Sequence, residues 1–295
     1  VMARGNGFMA NLGGSVGPLT FRVVGEKQVV SRKIQRVRDP RTLPQIDQRI
    51  KFPNIVATYR AFRGLLKEGF EARYREGKRL GGTDYNRFLS LNLQSAPVYL
   101  TRAESAAGYC VAAPYRVTDG SLVPVRTLGS GPDTCSDIAL GGLEITDTTT
   151  VAEFAEAVVT NNPLFDYGDA ISYVSVLQDV RADTGVPFIS VSLHKVSLDA
   201  ADGAPLRSSA PERGFSVTDG YLGNGPGVGQ GAFAWIHSRR GARGPLVSSQ
   251  RLVVVNALFD LYGGDVAKRA ARASYGCVEV PLDPLSPDSP ETRGR

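Results

Sequence analysis

The chain has 295 residues, of which 42% are hydrophobic and 21% are charged. This balance is typical of a folded globular protein and excludes an intrinsically disordered chain. The length is enough for a large core and for about one to three domains. With two histidines and three cysteines, all widely spaced, the sequence predicts neither a zinc site nor a disulfide framework.

Positive charge is concentrated in the first 80 residues. They hold 17 Lys and Arg against 6 Asp and Glu, whereas residues 81–295 hold 17 against 23, and the net charge is +5. A basic front end favours binding to a polyanion, and it also permits head-to-tail association with the acidic remainder of a second copy. The two predicted partners are therefore nucleic acid and a second copy of the chain.

No stretch of the sequence is long and apolar enough to predict a membrane-spanning helix. The first thirty residues are rich in glycine and polar residues and contain no apolar segment of signal-peptide length. We therefore expect cytoplasmic synthesis, no membrane partner, and a final location in the cytoplasm or in a virion or other assembled particle.

The first predicted element is a β-hairpin. Apolar and polar residues alternate in residues 19–24 and again in 28–32, and a glycine lies between the two runs. The alternation places Phe21 and Val23 on one face and Arg22 on the other. Two interpretations fit this hairpin equally, a plain surface hairpin and an arm that contacts a polyanion.

A long amphipathic helix is predicted after the turn at residues 39–42. Thr42 and Gln45 have the spacing of a capping box at its start. Apolar residues then recur every three or four positions as far as Phe70, which is typical of one buried helical face. Pro53 lies within this pattern and is expected to kink or split the helix.

Basic residues lie before this helix in the sequence and along the polar face of the helix itself. Nine of them are candidates for contacting a polyanion or another subunit. They are Arg32, Lys33, Arg36, Arg38, Arg41, Arg49, Lys51, Arg60 and Arg63. A solvated helix face is the alternative interpretation. Five aromatic residues are interleaved with them: Phe52, Tyr59, Phe62, Phe70 and Tyr74. Because these fall on the apolar helical face, we expect them in the core and not stacked on nucleic-acid bases.

We divide the chain into a basic hairpin-plus-helix region at 1–80, a β-rich domain or insertion at 81–150, a β-sandwich-like domain at 151–280 and an irregular tail at 281–295. In the second region a helix is expected at 85–93, and short strands are expected at 97–101, 111–115, 122–127 and 137–145. The tail contains four prolines and is expected to lack regular structure.

The sandwich-like domain is predicted to open with a short helix. Thr150 and Glu153 form a capping-box pair at its start, and Asn162-Pro163 ends it. Alternating strands then follow at residues 170–178, 188–196, 231–238 and 248–255, and a last helix follows at 266–273. Such strands imply an antiparallel sheet with one buried face and one solvent-exposed face. The predicted fold class is therefore α+β: a basic N-terminal β-hairpin and a long amphipathic helix with an antiparallel β-sandwich region.

The sequence contains no evident catalytic constellation. The glycine-rich segment 223–229 lacks the helix and the acidic residue of a dinucleotide-binding fingerprint. His194 and His237 have serines nearby but no Gly-x-Ser-x-Gly elbow, so a hydrolase that uses either as general base ranks third. We therefore predict no enzyme activity, no cofactor and no metal site. Cys110 and Cys135 leave a single bridge and two buried free thiols as alternatives.

Two N-terminal motifs go beyond composition. A Gly-Ser-Val-Gly turn at residues 14–17 precedes the basic strand, and the pattern Pro-Arg-Thr-x-x-Gln-x-x-x-Arg-x-x-Phe runs from Pro40 to Phe52. Further matches are Asn162-Pro163 followed by Gly168-Asp169-x-Ile171, and the strand 232–236 followed by Val247-Ser248-Ser249-Gln250. Together these resemble an uncharacterised family of Bacteroidetes and phage-associated proteins, a domain of unknown function. The resemblance implies no substrate and no catalytic residues, and it favours a structural or assembly role.

The function predicted from the sequence is that of a non-enzymatic structural protein that self-assembles, such as a component of a phage virion or tail-like particle. The segregated charge, the glycine-rich loops and the lack of a recognisable site favour it. We expect a homo-oligomer held by charge-complementary faces, with no small-molecule substrate. The alternative is a non-specific nucleic-acid-binding protein that uses the basic N-terminal region, because phosphate contacts require only a dense set of Lys and Arg.

Overall fold

The computed structural model describes residues 3–4, 13–24, 27–33, 41–70, 74–75, 78–79, 83–129, 133–225, 229–242, 244–255 and 257–277. The chain divides into two compact units, an N-terminal unit of residues 1–42 and a C-terminal unit of residues 43–295. Helices and antiparallel sheets are both present in the described part of the chain, which confirms the α+β fold class.

The N-terminal unit contains one antiparallel sheet. Its strands are β1 (Ala3–Arg4), β2 (Gly14–Val16), β3 (Leu19–Val24) and β4 (Lys27–Arg32), and their order across the sheet is β1-β4-β3-β2. β3 and β4 pair along their whole length, so the predicted hairpin is confirmed. β2 joins β3 through a turn in which Gly17 has a φ of +53°, a conformation that costs glycine little.

The C-terminal unit begins with α1 (Leu43–Gly69), a helix of 27 residues. Its buried face consists of Ile46, Ile50, Ile55, Phe62, Leu65 and Leu66. The predicted amphipathic helix is confirmed, and of the two effects expected at Pro53, a kink or a split, the split does not occur because α1 is continuous through Pro53. Pro53 cannot donate a backbone hydrogen bond, yet the apolar residues buried on both sides of it hold the helix together through the core.

The next elements are short. They are β5 (Tyr74–Arg75), β6 (Lys78–Arg79), α2 (Asp84–Asn92) and α3 (Arg102–Ala107). The helix expected at 85–93 is confirmed as α2, and the Thr83 hydroxyl accepts a hydrogen bond from the Asn86 backbone N–H to cap it.

The strands predicted at 97–101 and 111–115 are wrong, because these apolar segments are buried without joining a sheet. In the first segment Tyr99 N–H donates to the Tyr262 backbone carbonyl, and in the second segment side chains are the acceptors. Val111 N–H donates to Asn54 Oδ1 at 3.2 Å, and Ala112 N–H donates to Gln178 Oε1 at 2.9 Å. A short apolar run gives the same pattern in a strand and in an irregular buried segment, so periodicity does not separate the two.

The remaining strands are β7 (Thr127–Leu128), β8 (Cys135–Ala139), β9 (Ala170–Val180), β10 (Pro187–Ser197), β11 (Ser216–Thr218), β12 (Tyr221–Gly223), β13 (Gly231–Gly241), β14 (Gly244–Val247) and β15 (Val253–Val255). The remaining helices are α4 (Val151–Asn161), α5 (Ala257–Gly263) and α6 (Asp265–Ser274). A central antiparallel sheet has the order β10-β9-β13-β14, and β15 also pairs with β13. A smaller sheet has the order β11-β12-β8-β7.

The strand predicted at 248–255 is only partly correct. Residues 253–255 form β15, whereas the segment before it leaves the ladder and binds the loop at residues 117–118. Val117 N–H donates to Gln250 O, and Gln250 N–H donates to the Thr118 hydroxyl. The polar residues Ser248 and Gln250 are buried in these contacts.

Both faces of the two inner strands of the central sheet, β9 and β13, are buried over most of their length. One face packs under α1 and contributes Val174, Val176, Ala232, Ala234 and Ile236 to a core that also contains Phe88 and Val111. The other face packs against α4 and the smaller sheet through Ile171, Tyr173, Phe233 and Trp235. The predicted antiparallel sandwich is therefore confirmed. β9 and β13 have no solvent-exposed face over most of their length because α1 forms a third layer, whereas the edge strand β10 exposes Ser190, Ser192 and Lys195.

Candidate interaction surfaces

The nine basic residues selected from the sequence are divided between the two compact units. Three exposed ones belong to the N-terminal unit: Arg32, Lys33 and Arg41. Two lie outside the described residues: Arg36 and Arg38. Four belong to α1: Arg49, Lys51, Arg60 and Arg63. Their role in contacting a polyanion or a subunit stays a prediction.

Three arginines of α1 form a basic stripe on its outer face. Arg49, Arg60 and Arg63 are all exposed. With about 3.6 residues per turn and a rise of about 1.5 Å per residue, these positions fall on one side of the helix over a length of about 21 Å. Phe52 lies on the same side and is 45% exposed, so the expectation that it belongs to the core is wrong.

Lys51 points elsewhere, into the contact between α1 and α6. Its Nζ lies 5.7 Å from the centroid of the Tyr99 ring, and the Nζ of Lys268 lies 5.6 Å from the same centroid. Burial lowers the pKa of Lys51. Beside them, Arg272 donates to Asp47 through Nε at 2.7 Å and Nη2 at 2.8 Å. These cation–π and ion-pair contacts join two helices of the same unit.

Strand register gives the N-terminal sheet one apolar face. Directly opposed residues share a face, so Val16, Leu19 and Arg32 form one row, and Phe21 and Val30 belong to the next. Val23 lies on the same face because it is two residues beyond Phe21. Val16 is 70% exposed, Leu19 41% and Val23 49%, whereas Phe21 is 8% exposed. We call Val16, Leu19, Phe21, Val23 and Val30 the apolar face.

The opposite face of this sheet is more polar. Ser15, Thr20 and Ser31 lie in one row across three strands, and the hydroxyls of Ser15 and Thr20 are 3.1 Å apart. Arg22 lies in the next row of the same face, and Val24 follows two residues later with 58% exposure. The sheet is therefore only partly amphipathic. Hydroxyls, Arg22 and Val24 lie on one side, and the apolar face lies on the other side with Arg32 in its first row.

A buried polar cluster occupies the start of the central sheet. Asp169, 2% exposed, accepts from Arg239 Nε and Nη2, each at 2.7 Å, and its Oδ2 lies 2.8 Å from His237 Nε2. The His237 ring is 3% exposed and stacks on Phe165 with centroids 4.1 Å apart. Asp169 ends a turn, and its carboxylate also accepts from the Asp166 N–H at 3.0 Å.

The protonation states in this cluster follow from its burial. Burial lowers the pKa of His237 more than its hydrogen bond to Asp169 raises it, so the ring is neutral at pH 7 and donates from Nε2. Burial would raise the pKa of Asp169, but hydrogen bonds, chiefly from Arg239, lower it overall. This cluster was not predicted from the sequence, although His237 and Arg239 are two residues apart in a strand and therefore lie on one face.

The geometry does not align His237 with a nucleophile. The Ser248 hydroxyl accepts from the His237 backbone N–H at 3.0 Å, so its contact is with the main chain of His237. A general base must reach the proton that it abstracts, and a side chain that is 3% exposed does not reach a substrate in solvent. The arrangement fixes strand β13 to the turn before β9.

The described residues also bear on metals, membranes and thiols. No group of three or more His, Cys, Asp or Glu side chains in the described part of the chain is placed to hold a metal ion. Among the helices of that part, none is long and apolar enough to cross a membrane. Cys110 and Cys135 are both buried free thiols, so the two free thiols, and not the single bridge, are what the structure contains.

Comparisons of the chain with protein-family models, curated proteins and solved structures found no match.

Proposed function

We propose that the protein is a non-enzymatic structural subunit that self-associates through the apolar face of its N-terminal sheet. The observation that carries this proposal is the exposure of Val16, Leu19 and Val23 on one face of a sheet whose other face is mainly polar. A two-layer arrangement buries such a face, and a second copy of the same sheet supplies the matching layer.

The area of the apolar face limits the free energy that its burial contributes to association. Burying the exposed parts of three aliphatic side chains on each of two copies contributes on the order of 6 kcal/mol. Association costs about 4–15 kcal/mol in lost freedom of motion. The apolar contact alone therefore supports at most a weak dimer, and a stable assembly requires a second kind of contact.

Segregated charge supplies that second contact in the proposal. Lys33 is exposed in the N-terminal unit, and residues 81–295 carry an excess of acidic residues. One apolar contact and one electrostatic contact per subunit allow growth beyond a dimer. A phage virion or tail-like particle is the kind of assembly that we propose, and the resemblance of the N-terminal motifs to phage-associated proteins supports it.

Light-scattering mass on a sizing column tests this proposal. We expect the full chain to form oligomers and the double variant Leu19→Ser/Val23→Ser to lose at least half of the oligomer mass. Val24→Ser is the matched control, because Val24 is 58% exposed on the opposite face. A monomeric wild-type chain at every concentration, or equal loss in the Val24 variant, would refute the proposal.

The basic stripe on α1 favours a second candidate, non-specific binding of nucleic acid. Arg49, Arg60 and Arg63 extend over about 21 Å, which corresponds to several phosphates of a duplex. Each phosphate contact contributes about 0.9 to the slope of log K against log salt. We therefore expect Arg60→Gln/Arg63→Gln to reduce that slope by about 2.

Fluorescence anisotropy with a labelled duplex at several salt concentrations measures this slope. Arg126→Gln/Arg251→Gln removes the same charge from exposed positions that are not part of α1 and is the control. Purified protein with no absorbance excess at 260 nm, or a slope that both double variants change equally, removes this candidate.

A further inference from the structure

β10 forms one edge of the central sheet. In the described part of the chain it pairs with β9 alone, over eleven residues and without a shift of register. An edge strand presents backbone N–H and C=O groups that its own sheet does not use. The outer side of β10 is therefore a surface to which a further strand can bind.

Hydrogen bonds at the two ends of β10 show which of its backbone groups point outward. Leu198 N–H, directly after β10, donates to the main-chain O of Asp169, directly before β9, at 2.7 Å. On the other side, Cys110 N–H donates to Pro187 O at 3.1 Å, and Cys110 belongs to no strand. Because the direction alternates along an antiparallel strand, the even-numbered residues of β10 bond to β9 and the odd-numbered residues point outward.

At three successive outward positions, the backbone groups have no hydrogen-bond partner among the described residues. These positions are Ile189, Val191 and Leu193. Residues 189–193 contain neither a charge nor a proline, the features that commonly protect an edge strand from pairing. Leu193 is 42% exposed, and Ser190 and Ser192 are exposed as well. A partner strand therefore has access to this part of the edge.

The length of the open edge determines how a second copy fits it. The Cys110 segment occupies the edge at Pro187, and the chain leaves the sheet after Leu198, so residues 189–197 remain. Their midpoint is Leu193. Two antiparallel copies that use this whole stretch therefore place Leu193 opposite Leu193, Val191 opposite Lys195 and Ser192 opposite His194.

This register gives compatible neighbours at each of these positions. An exposed leucine meets a leucine at the centre, and a serine hydroxyl meets an imidazole on the other face, and such cross-strand pairs stabilise antiparallel sheets. The two copies of Lys195 are about 14 Å apart along the strands, so no like charges face each other. The stretch is therefore complementary to itself.

We propose that two copies of the chain dimerise by pairing their β10 strands antiparallel about a two-fold axis beside Leu193. Outward backbone groups of residues 189–197 then exchange hydrogen bonds, and the two central sheets become one continuous sheet. The self-complementary stretch favours a second copy over an unrelated strand as the occupant of the edge. β10 belongs to the C-terminal unit, so this dimer forms with or without the proposed contact through the N-terminal apolar face.

Sedimentation equilibrium of the Leu19→Ser/Val23→Ser variant separates this contact from the N-terminal one. We expect a dimer, and amide hydrogen exchange of the same variant at about 1 μM and about 1 mM locates the contact. The three outward amides of residues 189, 191 and 193 should exchange at least about tenfold more slowly at the higher concentration. The amides of Ser190 and Ser192 bond to β9 and should exchange at the same rate at both concentrations. A monomer at both concentrations, or outward amides whose rates do not change, overturns the proposal.

Substitutions on the edge test the register. Ser192→Lys/His194→Lys places two Lys–Lys pairs across the axis, whereas the matched control Ser192→Lys/His194→Glu places two Lys–Glu pairs at the same positions. We expect the dissociation constant of the dimer to be about tenfold or more higher for the first variant. Equal dissociation constants for the two variants overturn the proposal.

Leu193→Pro removes the outward N–H beside the axis without removing a bond to β9. We expect it to give a monomer with the Trp235 emission of the folded chain, and a dimer as stable as that of the wild-type edge contradicts the proposal. If the proline variant does not fold, the lysine and glutamate pairs decide the test.

Discussion

Asp169→Asn removes the charge at the centre of the buried cluster that joins β13 to the turn before β9. The carboxylate is 2% exposed and is bound to His237 at 2.8 Å and to Arg239 at 2.7 Å. Asparagine keeps the shape of the side chain but has one acceptor oxygen and no charge. Arg239 then retains Asp166 as its acidic partner in this cluster, and the Asp166 side chain is 72% exposed.

The expected loss follows from this burial. Removing one partner of a buried ion pair costs about 3–5 kcal/mol. The Arg239 side chain is 34% exposed, so water replaces part of the lost interaction. We therefore expect Asp169→Asn to lower the free energy of unfolding by about 2–4 kcal/mol. Asp166→Asn acts on the same arginine from an exposed position and should cost about 1 kcal/mol or less.

Urea unfolding measures both variants, and Trp235 is a suitable reporter. It is the single tryptophan of the chain, lies in β13 and is 2% exposed, so its emission changes when the sheet opens. A loss below about 1 kcal/mol for Asp169→Asn would refute the view that this cluster stabilises the sheet. An equal loss in Asp166→Asn would refute the assignment of the effect to the buried carboxylate.

Acid should destabilise the protein, because burial lowers the pKa of His237 and the unfolded chain takes up a proton near pH 6.5 that the folded state does not. The free energy of unfolding should therefore fall from pH 7 to pH 5, and below about pH 4 the lowered pKa of Asp169 adds a further loss. The free energy of unfolding of His237→Gln, measured with urea, should change less between pH 7 and pH 5 than that of the wild type. An equal change in both proteins would contradict the assignment to His237. Gly231→Ala should cost more than about 3 kcal/mol, because its φ is +151° and a Cβ would lie 1.8 Å from the Val176 carbonyl oxygen. Gly203→Ala, with nothing within 4 Å, should stay within about 0.5 kcal/mol in the same assay.

The elements that the sequence predicts well are those with local signals. The capping box of Thr150 and Glu153 places the start of α4, and the structure shows both of its hydrogen bonds. Alternation predicts β9, β10 and β13 to within a few residues. These signals depend on residues a few positions apart, so they do not require knowledge of the tertiary fold.

The parts that the sequence does not predict depend on distant partners. The buried segment at 111–112 is irregular because the Asn54 and Gln178 side chains, 57 and 66 positions away, accept its backbone hydrogen bonds. The cluster of Asp169, His237 and Arg239 was not predicted because Asp169 lies 68 positions before His237 and 70 positions before Arg239. A run of basic residues is visible in a sequence, whereas a contact between distant segments is not.

The order of strands in the central sheet also affects how the chain is made. β9 pairs with β10 across a short turn, but its other neighbour, β13, follows only after roughly 50 residues. At about 5–20 residues per second, a ribosome leaves that edge of β9 without its neighbour for about 3–10 s. During this interval Val174 and Val176 lack the β13 residues that later pack beside them. The nascent chain therefore passes through a stage with an open strand edge, at which aggregation competes with folding.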